Sequence, residues 1–239
     1  MKKIYILLVN DLRNILREPM LSLAFLGPFL LSLAMRWMLP SVTIYFANYV
    51  DLTSHYPLIF SFMLLLAAML TGMVTGFLLL DERDDQIYMT LIVTPLGKEG
   101  YTLYRIIFPM VISFFYAIIA LPIAGVGQIP VGFVIPIGLL AALEAPIMAL
   151  FLACFAGNKV EGLALSKGFG LLMIPPIAAY FTDSKWQLLA GISPFYWPVQ
   201  AFLAAGESGS AYWFYIFGGI LIHSILLYGL TNRFIKKMG

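Results

Sequence analysis

Four acidic residues, Asp81, Glu82, Asp84 and Asp85, crowd into five positions at the end of an apolar run in the stretch LLLDERDDQIY. Such a run either steers a basic patch on a soluble partner or keeps the end of a membrane helix wet. Three more ionisable residues, Arg36, Glu144 and His223, lie inside apolar runs. A charge at the bilayer centre costs about 2.5–3.5 kcal/mol on insertion scales, so residues of this kind are functional candidates by default. Glu144 sits in LLAALEAPIMAL, where Pro146 opens a backbone gap beside it. It reads as a lining or proton-sensitive group of a substrate path, or as a buried acid bonded to a neighbouring helix. Arg36 lies near the outer end of its run and reads as a snorkelling side chain. His223 reads as a hydrogen-bonded packing residue.

Other chemistries lack their parts. No GxxxxGK[ST] loop is present to cradle phosphates, so the chain cannot hydrolyse ATP by that route. The two histidines, His55 and His223, are far apart in sequence and no HExxH or GxSxG occurs. Cys154 is alone, which excludes a disulfide framework and a CxxC pair. Catalytic, cofactor-binding and metal sites are therefore expected to be absent from this chain, and nothing points to nucleic acid.

The elements that must position these residues are membrane helices. Hydrophobic residues make up 62% of the chain and charged ones 11%, with a mean hydropathy of +0.94, far below the charge of a soluble domain. A span needs about 20 apolar residues, and six such runs occur, roughly 20–39, 57–80, 103–124, 129–156, 163–181 and 211–232. The fold class is an all-α membrane protein, one transmembrane domain over 1–239 with a six-span bundle over 20–232 and no nucleotide-binding domain. Residues 3–17 place Ile4, Leu8, Leu12 and Ile15 on one helical face, which predicts an interfacial amphipathic helix over 1–18, stopped before Pro19. The first apolar run, Ile4 to Val9, is too short for a cleaved secretory signal. Of 14 Lys and Arg, Arg36 lies in a span; if the spans alternate, 12 of the rest fall on one side and only Lys185 on the other. That bias orients both termini to the cytoplasm of a multi-pass plasma-membrane protein. Gly72 and Gly76 form a small-xxx-small pattern that can bring two helices close, and Pro175-Pro176 predicts a kink in the fifth span.

The acidic stretch is then a cytoplasmic connection between spans 2 and 3. It continues with Ile87, Tyr88, Leu91 and Ile92 at helical spacing, and Thr94-Pro95 signals a new helix start. A polar, then amphipathic, then sharply turned connection suits docking into a groove on a soluble partner.

With these residues in view, the chain resembles the integral membrane subunits of ABC transporters of the ABC-2 exporter type. The matching residues are Glu82-Arg83-Asp84, then Leu91-Ile92-Val93-Thr94-Pro95, and ISPFYWPVQAF over 192–202 before the last span. Where that family usually has Gly-Thr this chain has Gln86-Ile87, and Asp85 stands where a basic residue is expected. The resemblance implies a half-transporter that pairs with a second copy or a related permease and with cytosolic ATPase subunits, which carry the ATP and Mg. It implies a cytoplasmic coupling helix, with Glu82, Arg83, Asp84, Asp85, Ile87, Tyr88, Leu91, Thr94 and Pro95 as the ATPase-coupling residues. It also implies a re-entrant outer segment before span 6, with Pro194, Phe195, Tyr196 and Trp197 as its gate. Two other function classes remain open: a secondary transporter or channel using Glu144, and an intramembrane enzyme in which the acid and the histidine converge.

Overall fold

The computed structural model describes residues 2–87, 97–124, 131–182, 185–206 and 209–237. Ten α-helices run through them: α1 (Lys2–Arg17), α2 (Pro19–Phe46), α3 (Tyr56–Asp84), α4 (Gly97–Ala124), α5 (Val131–Ala142), α6 (Glu144–Phe155), α7 (Lys159–Phe169), α8 (Ile174–Tyr180), α9 (Tyr196–Leu203) and α10 (Gly209–Lys237). No strand occurs among the described residues. Taken with their flanking turns, α2, α3, α4, α5–α6, α7–α8 and α10 form six helices long and apolar enough to cross a membrane, in the order the apolar runs predict.

The centre of the bundle is set by which helices are apolar all round. In the most apolar stretch of α3, 78% of residues are buried, and in α5–α6 83%, against 17% in both α2 and α10. Helices α3 and α6 make the main contact, and the reason is the glycine pair. A Cβ on Gly72 would meet the Ala145 carbonyl and Met148 Cβ at 2.7 Å, and one on Gly76 would meet Leu152 Cδ1 at 2.8 Å. The missing side chains let the two backbones approach as the small-xxx-small pattern anticipates.

Prolines break the long runs where the lost donor can be tolerated. Pro146 has no N–H for the Ala142 carbonyl, and the helix divides into α5 and α6 at Leu143. Pro175 and Pro176 free the carbonyls of Leu171 and Leu172, and residues Gly170–Met173 tighten into a 3₁₀ turn between α7 and α8. The Leu172 carbonyl is recovered by the Ser193 hydroxyl at 2.6 Å, so the kink expected in the fifth span has its missing bond replaced from a neighbouring segment. That span also starts earlier than its apolar run, because Asn158 caps α7 by accepting from the Glu161 N–H at 2.9 Å.

The segment before α10 turns inward. Pro194, Phe195 and Tyr196 are buried, Phe195 packs edge-on to Phe169 at 5.5 Å, and α9 packs on α3 and α10. Trp197 donates to the Gly191 carbonyl at 3.0 Å and lies over Gly218 and Gly219 of α10; a Cβ on Gly218 would strike its ring, and one on Gly219 would meet its Cβ at 2.9 Å.

Candidate functional site

The acidic end of α3 is the meeting point of five helices. Carboxylates at a helix C-terminus oppose the macrodipole, so Asp81 and Glu82 need cations, and the fold supplies them from other helices. Arg105 of α4 is fully buried, its Nη1 is 2.7 Å from Asp11 Oδ2 and its Nη2 pairs with Glu82. Nη2 also reaches Asp11 Oδ1 at 3.2 Å. The Tyr104 hydroxyl donates to Asp11 at 2.7 Å and the Tyr101 hydroxyl to Glu82 at 2.5 Å, while both rings lie beside the guanidinium at 5.2 and 5.6 Å. One cation thus holds two carboxylates from α1 and α3, with two phenols completing their hydrogen bonds.

A second cluster lies beside it. Lys159 Nζ, at the start of α7, is 2.7 Å from Glu18 and 2.9 Å from Asp81, joining the heads of α2 and α7 to the tail of α3. All three side chains are one-third or more exposed, so this pair of bridges contributes little to stability. Arg83 faces the other way and donates to the carbonyls of Ala156 and Gly157 at 2.8 and 2.6 Å. Lys237 of α10 donates to those of Ala153 and Cys154 at 3.2 and 3.1 Å. Together they satisfy the open C-terminus of α6.

Of the coupling residues inferred from sequence, Glu82 and Arg83 are therefore held inside the chain, as is Asp81 of the acidic run. Asp84 and Asp85 are exposed, Asp84 with only Arg83 at 3.4 Å. Ile87 is exposed at the end of the same turn. Tyr88, Leu91, Thr94 and Pro95, and with them the expected coupling helix, lie outside the described residues. Helix α3 ends through Gln86, whose φ of +55° is the left-handed conformation that favours glycine.

Sequence inspection missed Asp11, Tyr101, Tyr104 and Lys159. The side of α1 that meets the bundle runs through Leu7, Asp11 and Ile15, with Leu8 and Leu12 half-buried beside it. The available signal was an acid at the fourth position between two apolar residues, which places a charge on the inward stripe.

Deeper in the bundle, Glu144 at the head of α6 and His223 of α10 come together. His223 Nε2 is 2.9 Å from Glu144 Oε1, and its Nδ1 is 2.7 Å from the Gly219 carbonyl. Both residues are 0% exposed, and among the described residues Glu144 Oε2 has no hydrogen-bond partner. Arg36 does not join them. It is exposed and donates to the Ile123 carbonyl in the last turn of α4 at 3.2 Å, a cation at a helix C-terminus. At that same end of the bundle, the Asp51 carboxyl accepts from Thr53 and is held below the usual carboxylate range, chiefly by the Thr53 hydroxyl. Among the described residues no three of His, Cys, Asp and Glu gather as a metal site.

Comparison with known proteins follows the same lines. Residues 11–231 match the family described as Fluoroquinolones export permease protein Rv2686c-like. Two Mycobacterium tuberculosis proteins, Fluoroquinolones export permease protein MT2760 of strain CDC 1551 / Oshkosh and Fluoroquinolones export permease protein Rv2686c of strain ATCC 25618 / H37Rv, are each 32% identical to it over 233 residues, covering 95% of this chain and 92% of theirs. No solved structure matches it.

Proposed function

The chain belongs to the Rv2686c-like family of fluoroquinolones export permeases, and on that premise we propose that it is the membrane half of an ATP-driven ABC-2 type exporter of amphipathic drugs. Two copies, or one copy and a related permease, enclose the path. ATP and Mg are bound by separate cytosolic ATPase subunits. Both termini face the cytoplasm, α1 lies along the membrane surface, and the segment around Pro194–Trp197 is a re-entrant gate at the outer end. Fluoroquinolones are the first cargo to test, since the named relatives are fluoroquinolone exporters.

The observation that carries the coupling is the convergence of five helices on the last turn of α3. Through Arg105, Lys159 and Arg83 that turn is tied to α1, α4, α2, α7 and the end of α6. A motor pressing on the connection that follows Asp84 and Asp85 therefore moves the whole end of the bundle at once. These two carboxylates are exposed, Asp84 with Arg83 beside it at 3.4 Å, and both are accessible to a basic surface on the ATPase.

The test is charge reversal at Asp84 and Asp85 together. Co-purification with the ATPase subunit weakens and nucleotide-dependent fluoroquinolone export falls, while the fold is kept because neither residue is buried. Assembly and coupling unchanged by the reversal would count against the proposal. A second reading, flux driven by an ion gradient through Glu144, is favoured by the burial of that acid beside His223. It requires transport by this chain alone without nucleotide.

A further inference from the structure

The Glu144–His223 pair has a proton inventory that its hydrogen bonds define. A carbonyl can only accept, so His223 Nδ1, 2.7 Å from the Gly219 oxygen, carries hydrogen. The contact between His223 Nε2 and Glu144 Oε1 at 2.9 Å then needs one more proton. That proton resides on nitrogen, giving an imidazolium beside a carboxylate, or on oxygen, giving a neutral imidazole that accepts from a carboxylic acid. The pair is net neutral in both arrangements.

The surroundings choose between them. Glu144 Oε2 has no hydrogen-bond partner among the described residues, and both residues are 0% exposed. A carboxylate would leave half its charge on an oxygen with no donor, inside an apolar bundle where unpaired charge is heavily penalised. A carboxylic acid leaves only an ordinary carbonyl oxygen unpaired. No other charge compensates: α5 and α9 carry no charged residue and α6 carries only Glu144. The charges of α3 begin at Asp81, those of α10 at Arg233, and Arg105 of α4 is committed to Asp11 and Glu82. Lys98 and Glu99 lie in the first turn of α4, about two turns before Arg105; the other titratable groups on these helices are tyrosines and Cys154, which are neutral donors at physiological pH.

The location gives the proton a task. Glu144 heads α6 at the break from α5, and His223 lies one helical turn beyond Gly219, which with Gly218 forms the seat for Trp197. A Cβ on Gly219 would also meet Leu140 of α5 at 2.8 Å. The pair therefore registers α10 against the break and, through the glycine seat, holds the segment that carries Trp197.

We infer that Glu144 is a protonated carboxylic acid donating to His223, and that this neutral pair is a positioning latch fixing α10 and the Trp197 segment against the α5–α6 break. The role in transport rests on the exporter proposal, whereas the proton placement does not.

Two measurements separate these. Infrared difference spectra of the purified wild-type protein against Glu144→Gln, at neutral pH and in light and heavy water, show the carbonyl stretch of one protonated, exchange-sensitive carboxylic acid that the variant lacks. Absence of that band overturns the latch whatever the chain transports. In the assembled exporter, His223→Leu, which removes the acceptor, lowers fluoroquinolone export about tenfold, within the range one coupling residue carries. Glu144→Leu does the same, and Glu144→Gln rescues export to within about twofold of wild type with an unchanged pH profile, because its amide N–H still donates to Nε2. If Glu144→Gln, folded and assembled, is as inactive as Glu144→Leu, the acid must ionise during transport and the neutral latch is wrong. If no variant or wild type exports at all, the exporter proposal fails and the spectrum alone decides the proton.

Discussion

Replacing Arg105 with methionine tests the idea that one buried cation organises the acidic end of the bundle. The side chain is fully buried, and its partners Asp11 and Glu82 are only 4% and 12% exposed. The substitution keeps the volume of the aliphatic stem and removes every bond from the guanidinium, leaving the hydroxyls of Tyr104 and Tyr101 as the donors that remain. Removing one partner of a buried pair costs about 3–5 kcal/mol, since the carboxylates stay behind uncompensated. At about 2–4 °C per kcal/mol for a chain of this length, the thermal midpoint in detergent falls by about 6–20 °C. Glu82→Gln alone keeps its one carbonyl oxygen for the guanidinium and turns its amide N–H toward the Tyr101 oxygen, which then accepts, and costs about 1 kcal/mol. Adding Asp11→Asn and Glu82→Gln to Arg105→Met removes the stranded charges and recovers more than half of the loss, a non-additivity expected only of residues in one network. A midpoint for Arg105→Met as mild as that of the exposed Arg17→Met, or a triple variant no more stable than the single, would refute the reasoning.

Two further outcomes follow from the backbone geometry. Gly72→Ala drives a methyl into the Ala145 carbonyl, a backbone atom that cannot rotate away, so it destabilises by about 1–3 kcal/mol or more; Gly229→Ala in α10, with nothing within 4 Å of the new Cβ, stays within about 0.5 kcal/mol of wild type by the same thermal assay. Gln86→Gly relieves about 1–2 kcal/mol of left-handed strain against about 0.5–1 kcal/mol of added chain freedom, and so raises stability by about 0.5–1 kcal/mol; a fall in the midpoint would mean that the Gln86 side chain makes a contact worth more than the strain.

The glycine pair shows how far local pattern reaches. Small residues four apart on an apolar helix need a close neighbour to be useful, and Gly72 and Gly76 have one in α6. The double proline likewise announces the break between α7 and α8, because a missing N–H is a property of the residue itself. The acidic run behaves differently. Its four carboxylates look alike in sequence, but Asp81 and Glu82 turn to Lys159 and Arg105 while Asp84 and Asp85 face outward. Which of them is committed depends on cations 23 and 78 positions away along the chain (Glu82 to Arg105, Asp81 to Lys159).

Composition and periodicity by themselves determined an all-helical chain with six candidate spans, since hydrocarbon leaves backbone groups no alternative to internal bonding. They also marked Glu144 and His223 as costly residues. Tertiary structure alone decided that these two meet, that Asp11 turns inward to Arg105, and that the end of α3 ties five helices together. The physical reason is range: helix formation is settled by bonds four residues apart, whereas a buried charge is satisfied by whichever partner the packed helices bring within about 3 Å of it.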